Sequence, residues 1–303
     1  MTDKRRKESG PVPNFLIVGA PKCGTTSVYQ YLREHPEAFL PLRKEPNYFC
    51  ARETIGIGTR DAYLALFRNS TGKKAVGEAS VNYLYEPDAP RRIRALLGPE
   101  TKILIFLRDP VTMIYSLWGT YRREGLEPLD FASALDAVSA RMSDPEFARI
   151  CRGAQSQYDY FARASYSAHV ARFLDAFGTN VRVFMYEEFF QPGLPQFAEL
   201  CRFLNIGDTH RPDGRNYNPA GRPRSRTLYR FMTDWTPWQD PLRALLPRRL
   251  RPYIRRVYRR MAVIEAPMPR LPANLTIELR SRFAPDISRL EYLLGRSLAG
   301  TWR

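Results

Sequence analysis

Cysteine, histidine and long apolar runs are all scarce in this chain. Four cysteines occur in 303 residues, Cys23, Cys50, Cys151 and Cys201, far apart and with no Cys-x-x-Cys pair. That pattern argues against a zinc ribbon or a disulfide-stapled scaffold and favours a reducing compartment. No apolar stretch approaches the roughly 20 residues needed to cross a bilayer. The start, MTDKRRKESG, is charged and is not followed by the apolar core of a signal sequence. The expectation is a soluble, cytoplasmic protein with a flexible basic tail over residues 1–12. Hydrophobic residues at 44% and charged residues at 26% are ordinary for a globular protein, so a disordered or collagen-like chain is excluded. The 25 prolines and 18 glycines are dispersed and read as turns.

Acidic residues are also in short supply. Against 47 Lys and Arg stand 31 Asp and Glu, a net charge of +16. A field of that sign attracts nucleotides, nucleic acid, acidic glycans or an anionic membrane surface. No nucleic-acid-binding motif accompanies the charge, so nucleic acid is not the expected partner.

Apolar runs of strand length alternate with stretches of helical period. Asn14–Val18 (NFLIV) is a short apolar run, suited to a strand buried on both faces. Gly19–Gly24 follows as a turn. Thr25–Glu34 then carries Val28, Tyr31 and Leu32 at helical spacing, and His35-Pro36 ends it. A second unit begins with the strand Ile103–Leu107. Asp109 can cap the next helix and Pro110 suits its first position; that helix runs to about Arg123. Val181–Tyr186 reads as a third strand after a helix over Ser167–Phe177, and Lys74–Val76 as a weaker one before Gly77-Glu78. Residues 124–160 read as helical. The final stretch, Leu275–Arg303, is mostly helical with a break near Pro285, and Ile287, Leu290, Leu293 and Leu294 share a face. Strands alternating with helices predict an α/β fold, a single P-loop-like domain over residues 13–303 with a parallel central sheet flanked by helices.

Gly19-Ala-Pro-Lys-Cys-Gly-Thr-Thr26 joins a buried strand to a helix. Amide groups at such a helix start point outward with partial positive charge, so a phosphate or similar anion fits there. Lys22 adds a full charge, and Thr25 and Thr26 add hydroxyls. A Walker A loop has Lys directly before the magnesium-binding Ser or Thr. Here that position is Thr25, and the lysine stands earlier, at Lys22. A P-loop kinase or nucleoside triphosphatase is therefore a second reading, and a non-catalytic basic nucleotide- or membrane-binding protein a third.

PNFLIVGAPKCGTTSVYQYL resembles the 5′-phosphosulfate loop of the sulfotransferases that use 3′-phosphoadenosine-5′-phosphosulfate (PAPS). LRDPVTMIYSLW resembles their 3′-phosphate motif. The similarity is greatest to the glycosaminoglycan and bacterial carbohydrate-type branch. It implies an enzyme of EC 2.8.2 type that takes PAPS, releases adenosine 3′,5′-bisphosphate (PAP) and needs no metal. By that resemblance Lys22, Gly24, Thr25, Thr26 and Ser27 hold the 5′-phosphosulfate, with Lys22 also catalytic, and Arg108 and Ser116 hold the 3′-phosphate. The implied acceptor is a hydroxyl, or less readily an amine, of a carbohydrate, glycolipid or other small molecule.

Arg43-Lys44-Glu45-Pro46-Asn47-Tyr48-Phe49 resembles the segment that carries the general base of that branch, and Glu45 matches the base. The residues alone favour a surface ion pair of Glu45 with Arg43 or Lys44. Asn47 stands where the branch often has His, and Ala79 of Glu78-Ala79-Ser80 stands where some members have Lys. Glu78 and Ser80 are expected to shape the acceptor side. His35 and His169 read as packing or capping residues, and His210 lies in a basic loop. That loop, residues 210–226, resembles one that closes over the nucleotide and brings Arg222 or Arg224 toward the 3′-phosphate. Residues 243–260 place eight arginines among Leu250, Tyr253, Ile254 and Val257 at helical spacing. Such a segment suits an anionic acceptor or peripheral contact with an anionic membrane, or else is a solvated face.

Overall fold

The computed structural model describes residues 12–50, 56–151, 153–215, 217, 221–223, 263–265 and 269–302. The tail over residues 1–11, the arginine-rich segment 243–260, and, within the basic loop, residues 216, 218–220 and 224–226 (Arg224 among them) lie outside the described residues.

Five short strands form one sheet: β1 (Phe15–Gly19), β2 (Ala38–Phe39), β3 (Ala75–Ala79), β4 (Lys102–Leu107) and β5 (Val181–Met185). Their order is β2-β3-β1-β4-β5, and every pairing is parallel. A parallel sheet covered by helices on its faces needs strands that are apolar on both sides. β1 and β3 are buried throughout, and β4 from its second residue. The helices Thr25–Glu34, Ala89–Leu97, Pro110–Glu124, Ser167–Phe177 and Ala273–Leu294 surround this sheet. The expected α/β architecture is thus the observed one.

β3 runs further than its sequence indicates. Gly77 and Glu78, read as the residues after a strand, are its centre. Gly77 pairs with Phe15 of β1, and a Cβ there would meet the Phe15 ring at 2.5 Å. The missing side chain makes room for the aromatic ring, so glycine here marks a close approach rather than a strand end. β5 stops one residue before Tyr186, which instead opens a short helix.

The final helix runs unbroken through Pro285. Proline forfeits one backbone bond in a helix interior, at a cost of about 3 kcal/mol. Leu279, Phe283 and Leu290 are buried on both sides of Pro285 and hold the helix together across it. The adjacent Asp286 accepts the amide of Ser167 at 3.2 Å, which ties the final helix to the start of another. Leu290 faces inward as expected, whereas Leu293 is exposed, a helical step away from that face. A separate antiparallel pair, β6 (Gly221–Pro223) with β7 (Val263–Glu265), lies near the Pro110–Glu124 helix.

Replacing Gly77 by Ala should push the Phe15 ring out of place and cost about 1–3 kcal/mol. A lower urea midpoint with an unchanged slope is the expected result. An unchanged midpoint would mean that β1 and β3 are less closely packed than described.

Candidate anion-binding and acceptor site

From β1 the chain turns toward β2, and from β4 it turns toward β5. The loops at the carboxyl ends of β1 and β4 therefore diverge, which opens a crevice where parallel sheets bind ligands. The β1 loop is tied to β4 at its root, where the Ala20 amide donates to Phe106 O at 2.7 Å. Gly24 ends this loop in a left-handed conformation with φ 77°. A Cβ at Gly24 would strike the Phe190 ring at 2.2 Å, so both backbone and space require glycine. No side chain caps the Thr25–Glu34 helix, which leaves its first amides to a ligand or solvent.

Lys22 is half-buried in this loop. Its ammonium is pushed down to about 8, first by burial and then by Arg123 and Arg108, while Glu124 opposes the shift. Arg108 leaves the end of β4 and lies over the Tyr186 ring, 4.4 Å from its centroid. Its Nη1 makes only a long contact to Lys22 O at 3.5 Å. Its Nε is buried with no hydrogen-bond partner among the described residues. A buried guanidinium donor without an acceptor is costly unless an anion completes it. The backbone on either side is braced. The Tyr166 hydroxyl donates to Arg108 O at 3.1 Å, and Glu187 accepts the Asp109 amide at 3.1 Å.

Asp109 caps the next helix, with its Oδ1 accepting from the Thr112 amide at 2.8 Å and from the Thr112 hydroxyl at 2.6 Å. Ser116 stands about two turns into that helix and is half-buried. Thr25 and Ser27 are buried, and Thr26 is half-buried. The Ser27 hydroxyl accepts the Tyr217 amide at 3.2 Å, so this residue also anchors the basic loop at Tyr217. Arg222 lies in β6, paired with Ile264.

Glu45 sits across the crevice, beside the carboxyl end of β3. Its amide donates to Ala79 O at 3.0 Å, and its Oε2 accepts the Val81 amide at 2.9 Å. Its Oε1 pairs with Lys44, so the ion pair that the sequence permitted does form. The Glu45 side chain remains 31% exposed, enough for an incoming group to reach it. Next to it, Glu78 is fully buried. The Tyr63 and Ser80 hydroxyls donate to its carboxyl at 3.4 and 2.9 Å. Burial dominates and pushes Glu78 up to about 8; the charge of Glu45 adds to the rise, and hydrogen bonds offset part of it. All four cysteines are unpaired thiols. His35 accepts the Glu37 amide and contacts Gly207 O, and His169 contacts Ala162 O and Arg172, as packing residues do.

Residues 12–213 match the sulfotransferase domain family. The chain belongs to that family. This sulfotransferase is 34% identical over 142 residues to human heparan sulfate glucosamine 3-O-sulfotransferase 6, a match covering 41% of this chain and 40% of that protein. It is 31% identical over 149 residues to rat carbohydrate sulfotransferase 15, covering 35% of this chain and 26% of that protein. The matches thus span well under half the length of these curated relatives. A solved sulfotransferase from Alicyclobacillus acidocaldarius superposes with a TM-score of 0.72 at 28% identity, over 96% of this chain and 98% of that one. Among the described residues, no helix is long and apolar enough to cross a membrane.

Sequence reading singled out the loop after β1, Arg108 and Glu45 as candidate site residues. It did not identify Tyr186, Tyr166 and Glu187 as the brace of Arg108, or Arg123 as a neighbour of Lys22. Tyr186 stands at the carboxyl end of a parallel strand, which is the signal that would have found it.

The raised value of Glu78 makes stability depend on pH. The unfolded chain ionises this carboxyl near 4.5 and the folded chain near 8. Between them the folded state binds more protons, so stability falls as pH rises through that window. Glu78→Gln lacks this titration. The difference in urea midpoint between wild type and Glu78→Gln should shift progressively between pH 4.5 and 8 and level off above. A difference constant across the window would show that Glu78 is not held neutral.

Proposed function

We propose that this sulfotransferase moves the sulfuryl group of PAPS to a hydroxyl of a carbohydrate acceptor. The observation that carries this reading is the Arg108 guanidinium, with its buried and unpartnered Nε, beside the uncapped helix start at Gly24. Two anion-binding elements on one crevice suit a ligand with phosphate groups at both its 3′ and 5′ ends. Arg108 and Ser116 take the 3′-phosphate. Lys22 and the amides and hydroxyls of Thr25 and Thr26 take the 5′ side, with Gly24 allowing close approach and Ser27 bracing the turn. Arg222, whose strand lies near the Ser116 helix, belongs to the loop that resembles the family's nucleotide-closing segment.

When bound, PAPS supplies an activated sulfuryl group on a phosphate leaving group. Glu45 accepts the proton of the acceptor hydroxyl as it attacks, and the Val81 amide fixes the carboxylate's orientation. Lys22 meets the negative charge that develops on the leaving phosphate. The sulfuryl group carries less charge than a phosphoryl group, so the reading needs no metal. A kinase or triphosphatase would want a free acid at the end of β4, whereas Asp109 is engaged as a helix cap.

A glycan is the acceptor class we favour, because the curated relatives are carbohydrate and heparan sulfate sulfotransferases and the net charge of +16 suits an acidic polymer. A lipid-linked glycan at an anionic membrane fits the same charge. Residues 13–303 are read as one domain, since the final helix packs on both the Pro110–Glu124 and Ser167–Phe177 helices. Four unpaired thiols fit a cytoplasmic setting, which cell fractionation tests.

PAP at about 100 times its Kd should stabilise the fold by roughly 2.7 kcal/mol. Arg108→Ala should abolish that thermal shift. Glu45→Gln should keep the shift and lose turnover of PAPS. Stabilisation only by magnesium-ATP, or a fully active Glu45→Gln, would overturn the reading.

Lys22 gives a second test. Anion binding favours its protonated form, so affinity for PAP should fall as pH rises through about 8. The slope should approach about tenfold per pH unit, until the bound-state value is passed. Lys22→Arg should bind with no such slope. Identical pH dependence in wild type and Lys22→Arg would remove Lys22 from the anion site.

A further inference from the structure

The acceptor side contains a buried acid with no part in the chemistry above. Glu78 is fully buried in β3, yet an apolar residue would fill a strand interior at lower cost. Its neighbours show what it holds. The Ser80 hydroxyl donates to Glu78 Oε2 at 2.9 Å, and Ser80 Oγ accepts the Asn47 amide at 3.0 Å. On either side, Ala79 O accepts the Glu45 amide and the Val81 amide donates to Glu45 Oε2. Three successive residues at the end of β3 therefore grip the turn from Glu45 to Asn47.

That turn is strained. Glu45 has φ 59° and Asn47 has φ 51°, a left-handed backbone on residues that are not glycine. Such conformations cost on the order of 1–3 kcal/mol each and persist only where their surroundings over-determine them. The Asn47 amide is fixed by a side-chain oxygen, and that hydroxyl can accept it only while its own proton points elsewhere. Glu78 provides the acceptor for that proton. The Tyr63 hydroxyl steadies the other oxygen of Glu78 from the opposite side.

We propose that Glu78 is a positioning residue for Glu45, acting through the Ser80 hydroxyl to hold the Glu45–Asn47 turn in its left-handed form. The proposal rests on the reading of Glu45 as the base. Glu78 does not touch the reacting atoms. It orients Ser80, Ser80 orients the Asn47 amide, and the turn so fixed keeps the Glu45 carboxylate on the Val81 amide at the carboxyl end of β3.

The experiment compares Ser80→Ala, Ser80→Thr, Glu78→Ala and Glu78→Gln in the full chain. Turnover is followed with PAPS and desulfated heparan sulfate, PAP affinity by calorimetry, and the Glu45 backbone by crystal structures of wild type and Ser80→Ala. Misplacing a catalytic group by about 1 Å costs up to a hundredfold. Ser80→Ala should lower kcat by about ten- to a hundredfold, with the Kd for PAP unchanged within about twofold. In its crystal structure the turn should leave the left-handed region. Ser80→Thr restores the hydroxyl and should recover most of the loss. Glu78→Gln keeps an acceptor oxygen and should recover most of what Glu78→Ala loses. If Ser80→Ala keeps the turn left-handed with Glu45 still on the Val81 amide, the proposal is wrong, whatever the turnover. If Ser80→Ala weakens PAP binding as much as it lowers kcat, the role is structural and the proposal is again wrong. Glu45→Gln measured alongside separates the two readings. An active Glu45→Gln removes the base, whereas an inactive Glu45→Gln beside a fully active Ser80→Ala removes only the positioning role.

Discussion

The pairing of β1 on both sides is the constraint on which the site depends. β3 and β4 flank it in parallel, so the carboxyl ends of all three strands emerge at one edge of the sheet. The three groups of interest come from those three ends or pack on them. The Lys22 loop follows β1, Arg108 follows β4, and Glu45 rests on the last residues of β3. Any slip of β3 relative to β1 would move Glu45 against Lys22 by a residue's rise of about 3.3 Å, far beyond what in-line transfer tolerates. Gly77 holds that register, because only glycine admits the Phe15 ring at their pairing.

The two sides of the crevice are built on opposite electrostatic terms. On the side of β1 and β4, the burial of Lys22 carries a desolvation cost, and Arg123 and Arg108 both repel its charge. An anion with two phosphate groups relieves both effects at once. On the β3 side a carboxyl is buried and held neutral next to a charged one. Neither arrangement favours the fold by itself. Each makes sense as stability given up to orient groups for a ligand, and the deep burial of β1, β3 and β4 is what offsets it.

Much of this architecture was legible in the sequence because it follows from local pattern. The uninterrupted apolar runs of β1 and β4 and the Gly24 turn needed no tertiary information, and the Asp109-Pro110 helix start reads directly. Glu45 and Arg108 were proposed as site residues through the resemblance of their surrounding motifs. What the sequence did not reveal depends on contacts between distant segments. Gly77-Glu78 looks like the end of a strand until Phe15 is known to lie against it. Pro285 looks like a break until Phe283 and Leu290 are seen buried on either side. Glu78 was expected to shape the acceptor side, but only its burial beside Tyr63 and Ser80 shows that its carboxyl is enclosed and hydrogen-bonded within the protein.

The same reasoning explains why the end of the described chain packs where it does. Glu187 accepts the Asp109 amide with one oxygen and the Trp302 indole N–H with the other, both at 3.1 Å. Glu188 accepts Thr301 and Arg296. The segment around Trp302 thus closes on the short helix that begins at Tyr186, and Tyr186 is the ring beneath Arg108. If Arg108 is to meet a phosphate as proposed, its backbone and its stacking partner must be fixed independently, since its own side chain has several rotatable bonds. Tyr166 and Glu187 fix the backbone, and Tyr186 fixes the plane. The final segment holds Glu187 in place, so residues nearly 200 positions from Arg108 help set the geometry of the proposed anion site.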